Sequence, residues 1–160
     1  MSLGPQGYVR DGRYKASVGI ETTGAVPATD TWEVFHKTVT ITSAAAATAV
    51  SVLSDAVVGT GRKVFLQGFI GRVNGATNWA TTATVKIQDT NGTPVDFVTA
   101  AVAALTGNSR VVPGTANVTL ENAYANGTGG TLSKGLQLKG DANGTGSDLI
   151  VTVWGIIVPS

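Results

Sequence analysis

The end of this chain constrains its fold more than any other stretch. Residues 148–158 read DLIVTVWGIIV, and they are apolar on both parities: Leu149, Val151, Val153 and Ile157 on one, Ile150, Trp154, Ile156 and Val158 on the other. Successive side chains of a strand point to opposite faces, so a strand of this kind needs cover on both. One face enters a core. The other requires a second layer or a neighbouring subunit, because a bare apolar strip invites aggregation. Residues 62–73, RKVFLQGFIGRV, raise the same question, with Val64, Leu66 and Ile70 on one parity and Phe65, Phe69 and Val73 on the other. They predict a central strand covered on both sides.

The intervening segments are β in character. Residues 32–41, 48–53, 81–89, 94–99, 116–123 and 135–140 are short runs rich in β-branched or alternating residues. In 81–89, Val85 and Ile87 are expected to face in, and Thr84, Lys86 and Gln88 out. Asn-Gly pairs at 74–75, 91–92, 126–127 and 143–144 promise the positive-φ turns of tight hairpins. Two Ala-rich runs, 43–50 and 98–105, are ambiguous between strand and helix, and at most one is expected to form a helical turn. The expectation is all-β: a single jelly-roll-like β-sandwich of about eight strands over residues 31–160. Residues 1–30 carry many glycines with Arg10, Arg13 and Lys15 and little periodicity. They read as an extended N-terminal arm ordered by docking, or as a disordered leader.

Charge and chemistry narrow the function. A net charge of +1 gives no reason to expect nucleic acid or a membrane surface as partner. Charged residues make up only 13% of the 160, about half the usual share. Such a neutral surface of hydroxyls and amides suits a protein packed against others. No cysteine is present, which removes disulfides, thiolate metal sites and a Cys nucleophile. The start has no apolar segment of signal-peptide type, and no run approaches the length of a membrane helix. Synthesis in the cytoplasm is expected, and the Asn-X-Thr sequences at Asn91, Asn117, Asn126 and Asn143 read as turn and strand chemistry.

Catalysis finds little purchase. His36 is the single histidine, and no Gly-x-Ser-x-Gly elbow accompanies it. Most of the ten carboxylates sit in turn-like contexts. The chain is read as no enzyme, with no cofactor. The loop DANGTGSD is the one metal candidate: Asp141, Asn143 and Thr145 offer oxygens at alternate positions, and Asp148 a second carboxylate. The twelfth position of an EF-hand register is Thr152, so the loop reads first as a hairpin turn, with a β-type calcium site as the competing reading. Trp79, in NGATNWATT, is the one tryptophan in a loop-like setting and the candidate for sugar stacking.

The stretches VKIQDTNGT and TLSKGLQLKGDANGTGSDLIVTVWGII give the chain a likeness. It resembles small structural proteins of tailed-bacteriophage virions, and among them the capsid decoration, or head-stabilising, proteins. The likeness is one of composition and pattern over residues 31–158, with no signature motif. It implies a trimer on the outer surface of the head, bound to the major capsid protein, with no nucleic acid or membrane partner. It also implies an arm that reaches the capsid or a neighbouring subunit. The contact candidates are Tyr8, Arg10, Arg13, Tyr14 and Lys15 on the arm, and Trp154 and Ile156 on the last strand. The alternative is a carbohydrate- or calcium-binding β-sandwich module of a tail or fibre component.

Overall fold

A computed structural model describes residues 8–10, 13–16 and 32–160. Among the described residues eleven strands form two antiparallel sheets: β1 (Tyr8–Arg10), β2 (Arg13–Ala16), β3 (Trp32–Ile41), β4 (Val50–Leu53), β5 (Arg62–Asn74), β6 (Thr84–Asp89), β7 (Asp96–Ala101), β8 (Arg110–Val111), β9 (Val118–Leu120), β10 (Leu136–Gly140) and β11 (Asp148–Pro159). The first sheet has the order β1-β2-β3-β11-β5-β8, and the second β4-β10-β6-β7-β9. The hydrogen-bonded pairs nest in the sequence: β6 with β7, β5 with β8, β4 with β10, β3 with β11. Alternate pairs of this ribbon lie in opposite sheets, which is the wrapped double Greek key of a jelly roll. The expected all-β sandwich is present, with eight strands in the ribbon. β9 is an addition beyond it, at the edge of β7.

The core lies between the sheets. Phe35, Ile41, Val73, Leu149, Val151, Val153 and Ile157 of the first sheet meet Leu53, Val85, Ile87, Phe97, Leu136 and Leu138 of the second, all buried. β11 is the central strand of the first sheet, paired with β3 along one edge and β5 along the other. Its alternation is unbroken: Leu149, Val151, Val153 and Ile157 face in, and Ile150, Thr152, Trp154, Ile156 and Val158 face out.

β5 resolves its double apolar pattern in a different way from the one expected. Trp154 pairs with Gly68 and Gly155 with Leu66, so Gln67 is an extra residue in the ladder. This bulge shifts the parity midway. Val64 and Leu66 face in before it, and Phe69 and Val73 after it. Only Phe65 and Ile70 are left on the outside, each half-buried.

Several expected boundaries differ. β8 is only two residues long and carried no readable period. A short helical turn, α1 (Asp55–Val58), follows β4; residues 116–123 contribute the short β9, and then Asn122–Ala125 form a second helical turn, α2. Both Ala-rich runs contain a 3-10 turn, Ser43–Ala45 and Val102–Ala104, where at most one was expected. Of the Asn-Gly glycines, Gly75 and Gly127 have positive φ, whereas Gly92 and Gly144 do not. Gly144 serves close approach: a Cβ there would lie 2.3 Å from the carbonyl oxygen of Ala80.

The expected arm spans residues 1–30, most of which lie outside the described residues. Within it β1 and β2 form a hairpin, and β2 pairs with β3, opposing Ala16 to Trp32 and Arg13 to Phe35. This part of the segment therefore continues the sandwich's own sheet. Among the described residues no helix is long and apolar enough to cross a membrane.

Candidate functional site

The outer face of the first sheet is the most unusual surface of the molecule. The register aligns three rows across β3, β11 and β5: Val34–Ile156–Phe65, His36–Trp154–Gly68 and Thr38–Thr152–Ile70. Trp32 stands beside the first row at the start of β3. The relative exposures are 51% for Trp32, 41% for Val34 and 37% for Trp154, while Ile156 and Phe65 are half-buried. An outer sheet face is ordinarily polar, because water solvates it. Here it is aromatic and aliphatic at one end. It becomes polar at the other, where Thr38 and Thr152 share a hydroxyl–hydroxyl hydrogen bond of 2.8 Å.

The shape of this face depends on the bulge. A Cβ on Gly68 would sit 2.2 Å from Cζ2 of Trp154. The indole therefore lies flat across the glycine backbone, which only a residue without a side chain permits. The extra residue Gln67 is what brings Gly68, instead of a bulky neighbour, opposite Trp154. The ring is thus held as part of a broad surface.

Beneath the apolar end runs a buried ion pair. Arg62 Nη1 lies 2.7 Å from Glu33 Oε1, and Arg62 Nη2 donates to the carbonyl of Ile157 at 3.3 Å. Both residues are buried. The pair joins β3 to β5 under β11 and pins the register of the strands that carry the patch. The cost of desolvating both charges offsets much of their attraction, so such a pair is weak evidence of net stability.

The sequence-predicted sites fall in three places. Trp154 and Ile156 lie on the apolar face, as their shared parity required. Tyr8, Arg10, Arg13, Tyr14 and Lys15 lie on β1 and β2, and their side chains are outside the described residues. The loop 141–148 is stitched into the fold by its own oxygens. Asp141 Oδ1 accepts from the backbone N–H of Ala83 at 3.0 Å and of Thr84 at 3.1 Å. Asn143 Oδ1 accepts from Ala47 N–H at 2.9 Å. Thr145 exchanges backbone hydrogen bonds with Ala80, and Asp148 is exposed at the start of β11. Two of the oxygens proposed for calcium, those of Asp141 and Asn143, are thus turned toward two separate segments. Among the described residues no three or more His, Cys, Asp or Glu side chains gather in one place.

Trp79 is also placed otherwise than a sugar platform demands. It is 4% exposed, and its Nε1 donates to the carbonyl of Ser147 at 2.5 Å. It anchors the turn before β11 to the core. His36 is exposed on the outer face opposite Trp154, in the surface role its strand context suggested.

Sequence reasoning missed Trp32, Val34 and Phe65. The parity of β3 is mixed, since Glu33 and Lys37 share a face with Phe35 and Ile41, and this hid which face was buried. Comparison of the chain with known protein families, with curated proteins and with solved structures finds no match.

Proposed function

We propose that the chain is a structural subunit of a tailed-bacteriophage virion: a capsid decoration protein that stabilises the head from its outer surface as a trimer. One observation carries the reading. The central strand β11 turns Trp154 and Ile156 outward into an apolar face, shared with Trp32, Val34 and Phe65, that no described side chain covers. A face of this kind is built to be covered, and for a symmetric assembly the nearest cover is the same face or edge of another copy. Low charge supports the reading, because few charges need desolvation when subunits meet. The role asks for no catalytic chemistry, cofactor or metal.

The N-terminal segment supplies the second contact. Its β2 adds to the β3 edge, beside the apolar face. From there it reaches the major capsid protein or a neighbouring subunit. Many copies on one shell make weak individual contacts effective.

An antibody raised against the chain tests the reading on phage particles whose genome encodes it. Label on the outer surface of heads in electron micrographs is expected. Label confined to tails, or absent from particles, overturns it.

A further inference from the structure

The opposite side of the sandwich carries a different kind of surface. On the outer face of the second sheet, β6 and β10 pair Lys86 with Lys139 and Gln88 with Gln137. Two lysines directly opposed across strands repel each other, an arrangement that costs stability. Lys86 is relieved by Asp96, whose Oδ2 lies 2.5 Å from its Nζ. Lys139 is exposed and has no partner among the described residues. An open depression of about 280 Å³ lies here, lined by Lys86, Gln88, Pro94, Lys139, Gly140 and Asp141.

Its floor is the unexpected part. Gln88 was expected to face solvent, and it does point outward, yet it is only 7% exposed. Its neighbour Gln137 donates to the carbonyl of Asp89 at 3.0 Å. The carboxamide of Gln88, in contrast, has no hydrogen-bond partner among the described residues, although it lines the depression. Its amide atoms are not sealed off from solvent, so they stay available to water or to a ligand that enters the depression. The wall beside it is fixed, because the turn carrying Pro94 is held by the Asp89 carboxylate through the N–H groups of Asn91 and Val95.

The chemistry of the lining points to one class of ligand. Two ammonium groups and an amide N–H₂ donate; an amide oxygen and the carboxylate of Asp141 accept. Asp96, outside the lining, neutralises Lys86, and Asp141 balances Lys139, so nothing selects an anion. Alternating donors and acceptors at close range match vicinal hydroxyls, each of which donates and accepts at once. The volume lies at the small end of ligand sites, which span roughly 300–1,000 Å³, and accommodates a single sugar unit. We propose that this depression is a saccharide site, with Gln88 reading one hydroxyl from the floor and Lys86 and Lys139 clamping its neighbours. It lies on the opposite outer face from the apolar patch, so an assembly that covers the patch leaves it displayed, and its failure leaves the assembly reading intact.

The test is a titration of the full chain, labelled with nitrogen-15, with a panel of single sugars. The panel comprises methyl glucoside, methyl galactoside, methyl mannoside, N-acetylglucosamine and, as the anionic control, glucuronate. The expected result is saturable shifts at Lys86, Lys139, Gly140 and the Gln88 side-chain amide with at least one neutral sugar, in the millimolar range. Gln88→Leu keeps the volume and removes the amide, and should weaken that binding roughly tenfold. Lys139→Met, at an exposed position, should weaken it too without lowering the melting temperature, and it serves as the readout where Gln88→Leu fails to fold. No saturable shift with any sugar overturns the proposal. So do shifts confined to other residues, binding of glucuronate alone, or unchanged binding by Lys139→Met.

Discussion

Replacing Asp89 by Asn should destabilise this protein more than any conservative change at its surface. Asp89 is 0% exposed at the end of β6. Its Oδ1 accepts from Asn91 N–H at 3.1 Å and Val95 N–H at 3.0 Å, closing the β6–β7 connection. Its Oδ2 accepts from Thr131 N–H at 2.8 Å, tying in the segment that follows α2. Asparagine keeps one oxygen for the first pair and turns an amide N–H₂ against the Thr131 N–H. One hydrogen bond to a charged acceptor is then lost, at about 1.5–3 kcal/mol, and a donor faces a donor. The other two bonds weaken because their acceptor is neutral. Partial access of water to Thr131 offsets some of this, so we expect a net loss of about 2–4 kcal/mol. For a chain of this length the melting temperature then falls by roughly 5–15 °C. Thermal unfolding followed by circular dichroism measures it, and hydrogen exchange at Thr131 locates it. A fall below about 2 °C would refute the reasoning, since it would mean the carboxylate merely replaces water at these N–H groups.

Other expectations follow from the same geometry. The Asp55 carboxyl lies below its ordinary value of 3.8, held there first by the Thr90 hydroxyl, then by the Gly135 N–H, and also by Lys134. A depressed carboxylate stabilises the fold above the unfolded value, and that stability is lost as pH falls through the folded one; Asp55→Asn should flatten this acid limb in a pH series of melting temperatures, and an unchanged limb contradicts it. Gly68→Ala drives a methyl group into the Trp154 ring and should cost about 1–3 kcal/mol while changing the tryptophan fluorescence; an unaltered emission spectrum would show that the indole does not lie on Gly68. A chelator should leave the melting temperature unchanged, because the Asp141 and Asn143 oxygens already accept backbone N–H groups; a fall would mean that calcium holds the 141–148 loop.

The sheets were legible because a period of two survives in the sequence wherever one face is buried. β11 is the clearest case. Its inward set is wholly apolar, and the excess of apolar residues on its other side announced a surface needing cover. β5 looked identical but was not, since a single inserted residue, Gln67, reverses the parity and cannot be told from an ordinary polar outward residue. The Asn-Gly signal at 91–92 predicted a tight turn. The chain instead uses a longer connection that Asp89 holds through Asn91 and Val95, while its bond to the distant Thr131 is one that no local pattern encodes. Asp141 and Asn143 misled for the same reason: their spacing is that of ligands, while their partners, Ala83, Thr84 and Ala47, are distant in sequence. Gln88 obeyed its parity but not its expected exposure, because the turn that shields it is set by its neighbour Asp89.

A subunit that assembles as proposed uses the outer face of its first sheet as an interface. Sedimentation equilibrium at micromolar concentration tests this directly, on the native chain and on Val34→Lys. Val34 is 41% exposed in the protomer, so lysine there leaves the fold intact and puts a charge at the centre of the patch. The native chain should sediment as a trimer of the 16.2 kDa protomer, and Val34→Lys as a folded monomer. A native chain that stays monomeric, or a Val34→Lys variant that assembles like the native one, would contradict the claim.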